Sequence, residues 1–199
     1  KGLLKIGEDI SFEDAVRLSC ELADKRFEEQ RNNPNPGADQ LIDACRKGKL
    51  AEVRFLLRTG VHPDVSRILG TPLGEAQVSP KCIEITKALL EYGANPNIVD
   101  QNGFNPLLVA AGNNQAESIR VLIKGGANQN IALESNGWTP LMNACALGSI
   151  QALLELLTYG ADAKLKSHDG VTAYDIAISN GCLVAARVLH RYFQILETK

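Results

Sequence analysis

The sequence is poor in aromatic side chains, with one tryptophan, and holds only three histidines in 199 residues. Nothing in it approaches the roughly 18 uninterrupted apolar residues that a membrane helix needs, so membrane insertion is not expected. Neither sign of charge dominates. A formal net charge of −2 gives no support to general polyanion binding. The few aromatics do not interleave with the bases as single-strand binders require, so nucleic acid is not an expected partner. The five cysteines are odd in number, and no two stand at the spacing of a zinc or redox pair. Free thiols point to a reducing compartment, cytoplasmic or nuclear. His62, His168 and His190 are far apart in sequence, and none has an Asp or Cys at a spacing that suggests a triad or zinc site. Gly125-Gly126 follows a predicted helix, whereas a phosphate cradle precedes one. The expectation is therefore a chain without catalytic residues, metal, cofactor or small-molecule substrate. No secretory leader is visible. A start at Lys1 rather than Met reads as a piece of something longer.

What the sequence does have is apolar residues, 45% of the total, enough to exclude wholesale disorder. They are arranged in one unit, written most fully from Gly137 to Asp162. Thr139 is placed to cap a helix that begins at Pro140. Threonine offers an oxygen to an orphan N–H, and proline there has no N–H to leave unpaired. Leu141, Ala144 and Cys145 give a short helix a narrow apolar face, and Gly148 stops it. Ile150, Leu153, Leu154, Leu156 and Leu157 follow at helical spacing, and Gly160 ends that second helix. The unit recurs. Proline stands at 72, 106 and 140; the closing glycine at 60, 93, 126 and 160; the first-helix alanine at 44, 76, 110, 144 and 177. Paired aliphatics recur at Leu56-Leu57, Leu89-Leu90, Leu122-Ile123, Leu156-Leu157 and Val188-Leu189.

A period near 33 opened by Thr-Pro-Leu resembles the ankyrin repeat, over about residues 38–193. The resemblance implies an all-α solenoid of stacked helix-turn-helix units with projecting hairpin loops. Five repeats are expected, at about 38–64, 65–97, 98–130, 131–164 and 165–193, with a tail over 194–199. Repeat one lacks Thr-Pro but has Asp39 as a candidate cap. Repeat two carries an inserted residue at Ser79-Pro80-Lys81, where irregularity is expected. Residues 1–37 read as a lead-in, an amphipathic helix from Ser11 and a breaker at Arg31-Asn-Asn-Pro-Asn-Pro-Gly37. That helix is expected to cap the stack, since solenoid ends need covering.

The family pattern has a histidine after Thr-Pro-Leu that links neighbouring repeats. Here Gly74, Leu108, Met142 and Asp175 stand there, so weaker stitching is expected. The resemblance further implies a protein or peptide partner lying across the loop tips and the ends of the first helices. Carried over by position, the expected contact residues are Arg46, Lys47, Arg67, Gln101, Asn102, Phe104, Asn113, Glu134, Asn136, Trp138, Met142, Leu147, His168 and Asp169. Trp138 and Phe104 hold equivalent places in neighbouring loops. Each ring either folds back over its own loop or anchors a partner, as interface aromatics do. The bases of repeat one are either a solvated face, balanced by acids of the first helix, or a dock for an acidic segment. In the family, asparagines placed like Asn97 and Asn130 are hydroxylation sites, but the flanking acid of that motif is missing here. The remaining alternative is a scaffold role, in which the array positions a catalytic or targeting domain elsewhere in a larger polypeptide.

Overall fold

The computed structural model of the chain describes residues 37–66 and 70–197. Among them ten helices form five hairpins. These are α1 (Ala38–Arg46) with α2 (Leu50–Arg58), α3 (Pro72–Ala76) with α4 (Cys82–Glu91), and α5 (Pro106–Gly112) with α6 (Ala116–Lys124). Then come α7 (Pro140–Ala146) with α8 (Ile150–Thr158), and α9 (Ala173–Ser179) with α10 (Leu183–Glu197). The described residues hold no strand, only isolated bridge residues such as the antiparallel pair Lys166 and Thr172. The all-α array is thus as expected. The helix expected from Ser11 lies outside the described residues.

Four of the first-helix starts follow from local chemistry. Thr71, Asn105, Thr139 and Thr172 accept a hydrogen bond from the backbone N–H three residues on, at 3.1, 2.8, 3.3 and 3.3 Å. Thr172 and Asp175 complete a reciprocal box, because the Asp175 carboxylate accepts from the Thr172 N–H at 2.9 Å. Asp39 does not cap α1: Gly37 precedes that helix in a left-handed conformation, and no side chain caps it.

First helices pack on first helices, and second helices on second helices, all along the stack. Leu89, Leu122 and Leu156 are fully buried in one hydrophobic cluster that runs from Ala38 to Leu189. Burying one such leucine contributes roughly 1.5–3 kcal/mol, and an isolated hairpin has no partner to bury it against.

Polar groups other than the missing histidine link the repeats. Leu108 and Met142 at that position are buried apolar side chains instead. The turns after the second helices form a ladder. Asp64 accepts from Asn95 N–H at 2.7 Å, Asn97 from Asn128 N–H at 2.7 Å, and Asn130 from Asp162 N–H at 2.8 Å. Asn143 donates to the Leu108 carbonyl, Ser149 to that of Gly112 and Asn180 to that of Ala146, at 3.0, 3.0 and 3.1 Å. Asn114 adopts positive φ in the inter-helix turn, a conformation asparagine tolerates, and its side chain accepts from Ala152 N–H at 3.0 Å.

Repeat two is irregular where the insertion falls. Its first helix has only five residues, and Gln77, just past it, is fully buried. The Gln77 amide donates to the Leu73 carbonyl at 2.9 Å and to the Thr86 hydroxyl at 3.0 Å, and it accepts from the Ser118 hydroxyl. The far end of the chain also departs from expectation. Residues 194–197 are not a tail: α10 runs on to Glu197, 15 residues against nine in α8. Gly160, at φ 80, closes α8. Phe193 stands at the equivalent position, and a side chain there favours continued helix over a left-handed stop.

Candidate partner-binding surface

The loops that carry the expected contact residues are held from within. In the third repeat Asp100 organises the tip. Its carboxylate accepts from Asn102 N–H at 2.9 Å and Phe104 N–H at 2.8 Å, and its own N–H donates to the Phe104 carbonyl at 2.9 Å. Such a turn fixes the backbone and leaves side chains free. Gln101 and Asn102 are exposed, and the Phe104 ring is 42% exposed.

The fourth loop closes through Leu133 N–H to the Trp138 carbonyl at 2.9 Å and Gly137 N–H to the Leu133 carbonyl at 2.7 Å. Asn136 accepts from Trp138 N–H at 2.9 Å. Glu134 and Ser135 are exposed; Asn136 and Trp138 are half-buried. The Trp138 ring packs against the core, so of its two readings the first, folding back, describes much of its surface. In the fifth loop His168 and Asp169 are exposed. The His168 N–H donates to the Asn136 carbonyl at 2.9 Å and ties loops four and five together. A Cβ on Gly137 would lie 2.7 Å from the His168 ring, so only glycine allows this approach, and its φ of 72 suits glycine as well.

At the ends of the first helices the expected residues divide. Leu147 is 63% exposed and Val78 is also open. Asn113 is exposed, yet its amide donates to the Gln77 carbonyl at 3.3 Å, a link between repeats. Met142 is a correction. It is 1% exposed, inside the core between neighbouring repeats, and offers no surface to a partner. The sequence argument placed it by analogy with a histidine; a long apolar side chain at that position is drawn inward instead. Arg67 lies outside the described residues.

Three of the bases of repeat one are paired within the array, while Arg58 donates to the Tyr92 hydroxyl at 3.4 Å and Arg54 meets no described carboxylate. Arg46 meets Glu75 of the next repeat at 2.6 Å, Lys47 meets Asp43 at 2.8 Å, and Lys49 meets Glu52 at 2.9 Å. The hydrogen bond from Lys47 holds the Asp43 carboxyl below its ordinary range. Local carboxylates therefore already answer Arg46, Lys47 and Lys49, which favours the solvated face over a dock for an acidic segment.

The described residues hold no group of three His, Cys, Asp or Glu side chains close enough to share a metal ion. Cys45 and Cys145 are buried, and burial pushes each thiol up to about 12, so both stay protonated and poorly nucleophilic. No helix among the described residues is long and apolar enough to cross a membrane.

Sequence reasoning missed Asp100, though an Asp three residues before a glycine is a turn signal. It also missed Phe55, an exposed aromatic on α2.

A family profile described as ankyrin repeats in three copies matches residues 76–167 and 132–197, more than half of the chain. The chain is 32% identical over 139 residues to the probable 26S proteasome regulatory subunit p28 of Saccharomyces cerevisiae, covering 68% of this chain and 61% of that protein. It is 35% identical over 139 residues to the tyrosine-protein kinase HTK16 of Hydra vulgaris, covering 68% of this chain and 18% of that one. It is 30% identical over 177 residues to human SH3 and multiple ankyrin repeat domains protein 2, covering 87% of this chain and 10% of that one. The chain thus spans from a tenth to about three fifths of these relatives.

Proposed function

The chain belongs to the ankyrin repeat family, and from that premise we propose that it is a non-catalytic module binding a protein or peptide partner across its loop tips and first-helix ends. The observation that carries this reading is the division of labour in loop three. Asp100 satisfies the backbone, while the Gln101 and Asn102 side chains and part of Phe104 stay exposed. Leu147 offers a second apolar contact. Arg46, Lys47, Glu134, Asn136, His168 and Asp169 belong to the same proposed surface as its polar rim, and Trp138 contributes the exposed part of its ring. The loops are pre-formed, so binding orders little of this partner. The proposed array spans about 38–193. The free thiols Cys45, Cys82, Cys145 and Cys182 support a reducing, cytoplasmic or nuclear site of action.

The test begins with affinity capture and identification of a partner, followed by titration of the purified pair. Phe104→Ala combined with Leu147→Ala is expected to weaken binding by roughly tenfold or more, the scale of an interface anchor. Unchanged affinity with an unaltered melting curve removes both residues from the site.

A second reading is a scaffold that positions a catalytic or targeting domain of a larger polypeptide. It is favoured by the small share, 18% and 10%, of two relatives that the chain spans.

A further inference from the structure

The last described hairpin presents to solvent the face that its predecessors bury. Ile178 of α9 is 47% exposed, while Ala111 and Cys145 at the same position of the two repeats before it are completely buried. Tyr174 is half-buried where Leu107 and Leu141 are buried. In those repeats the next hairpin lies on this face. Here α9 and α10 leave a groove of about 520 Å³, floored by Tyr174, Ile178, Leu183 and Ala186. The charged side chains that line it are all basic or imidazole: Arg187, Arg191 and His190. Neither arginine forms an ion pair with any described residue, whereas Arg46, Lys47 and Lys49 of repeat one and Arg120 of repeat three each do.

We propose that this groove on the last described hairpin docks an amphipathic helix with acidic residues flanking its apolar face. The shape argument is that the same face, one period earlier, takes helices. The charge argument is that an apolar floor edged by unpaired arginines is matched by carboxylates and disfavours a cationic partner. This surface is separate from the loop tips, so each stands or falls by itself.

The probe is a displayed library of amphipathic fifteen-residue helices, apolar on one face and randomised at the flanking positions. Selection on the intact chain is expected to enrich Asp and Glu at those positions. A labelled winner, followed by fluorescence anisotropy, is expected to lose roughly tenfold or more in affinity for the Arg187→Glu/Arg191→Glu variant, the scale of close charge pairs across an interface. The same peptide with lysine at its acidic positions is expected to regain affinity for that variant. Phe104→Ala leaves this binding unchanged. Circular dichroism melting confirms that each variant is folded. Winners without acidic enrichment, or equal binding to the charge-reversed variant, overturn the proposal. So does sedimentation of the free chain as a dimer that Leu183→Glu dissociates, since a second copy is then the occupant. Adsorption to vesicles of anionic lipid that the acidic winner fails to displace also overturns it.

Discussion

Two seams of the stack, built from the same repeat, are held by different forces. Between repeats two and three the buried Gln77 side chain lies at the centre. It bonds to Leu73 and Thr86 in its own repeat and to Ser118 in the next, while its carbonyl accepts from Asn113 and Gln115. Between repeats four and five the equivalent position is Cys145, buried like Met142 and Leu153 in the same hydrophobic cluster. The inserted residue in repeat two explains the difference. A five-residue first helix followed by a longer turn leaves carbonyl groups that a helix would have satisfied, and a buried amide answers them. The apolar seam is tolerant of direction but intolerant of lost volume. The polar seam is the reverse, because an unpaired buried group costs more than its bond contributed.

Substitutions sharpen that contrast. The largest effect is expected in the apolar seam. Leu153→Ala removes a fully buried side chain and is expected to cost about 3 kcal/mol in urea denaturation, the cost of a leucine-sized cavity. In the polar seam, Gln77→Leu strands the Thr86 and Ser118 hydroxyls and is expected to cost about 2 kcal/mol. Adding Thr86→Val and Ser118→Ala should recover part of that loss, because both stranded hydroxyls are then gone and only the Leu73 carbonyl lacks its side-chain donor. If the triple variant is no better than the single one, the seam is held by shape rather than by its hydrogen bonds. A smaller effect is expected at a helix start. Thr139→Ala removes one acceptor and is expected to cost about 1 kcal/mol by the same assay.

The smallest expected effect depends on pH. Hydrogen bonds from the Thr172 hydroxyl and then the Thr172 N–H hold the Asp175 carboxyl below its ordinary value of 3.8. A carboxyl lowered in the folded state stabilises the fold above its unfolded pKa, and that contribution is lost as pH falls through the folded value. Thermal melting of the wild type should therefore drop slightly more between about pH 5 and pH 2 than melting of Asp175→Asn. Equal slopes would show that the box adds nothing.

The candidate surface was only partly legible beforehand. Loop tips could be placed by counting from Thr-Pro, so Gln101, Asn102, Phe104, Glu134, His168 and Asp169 were found as exposed positions. Met142 and Asn113 were read from the same count, but one is buried and the other bonds to Gln77. Counting gives the place of a residue within its own hairpin. It does not say which neighbour's carbonyl or side chain lies opposite.

The sequence by itself determined the five described hairpins and the caps of four of their first helices. Those depend on residues within one period of each other: a cap oxygen three residues from its N–H, a glycine at a stop, leucines on one helical face. Only the tertiary structure decided what lies between the repeats. Burial of Gln77 and Met142, pairing of Arg46 with Glu75, and the open face of α9 and α10 depend on side chains some thirty residues apart meeting across a stacked interface. Local propensity carries no information about that meeting, because it exists only once neighbouring hairpins have packed.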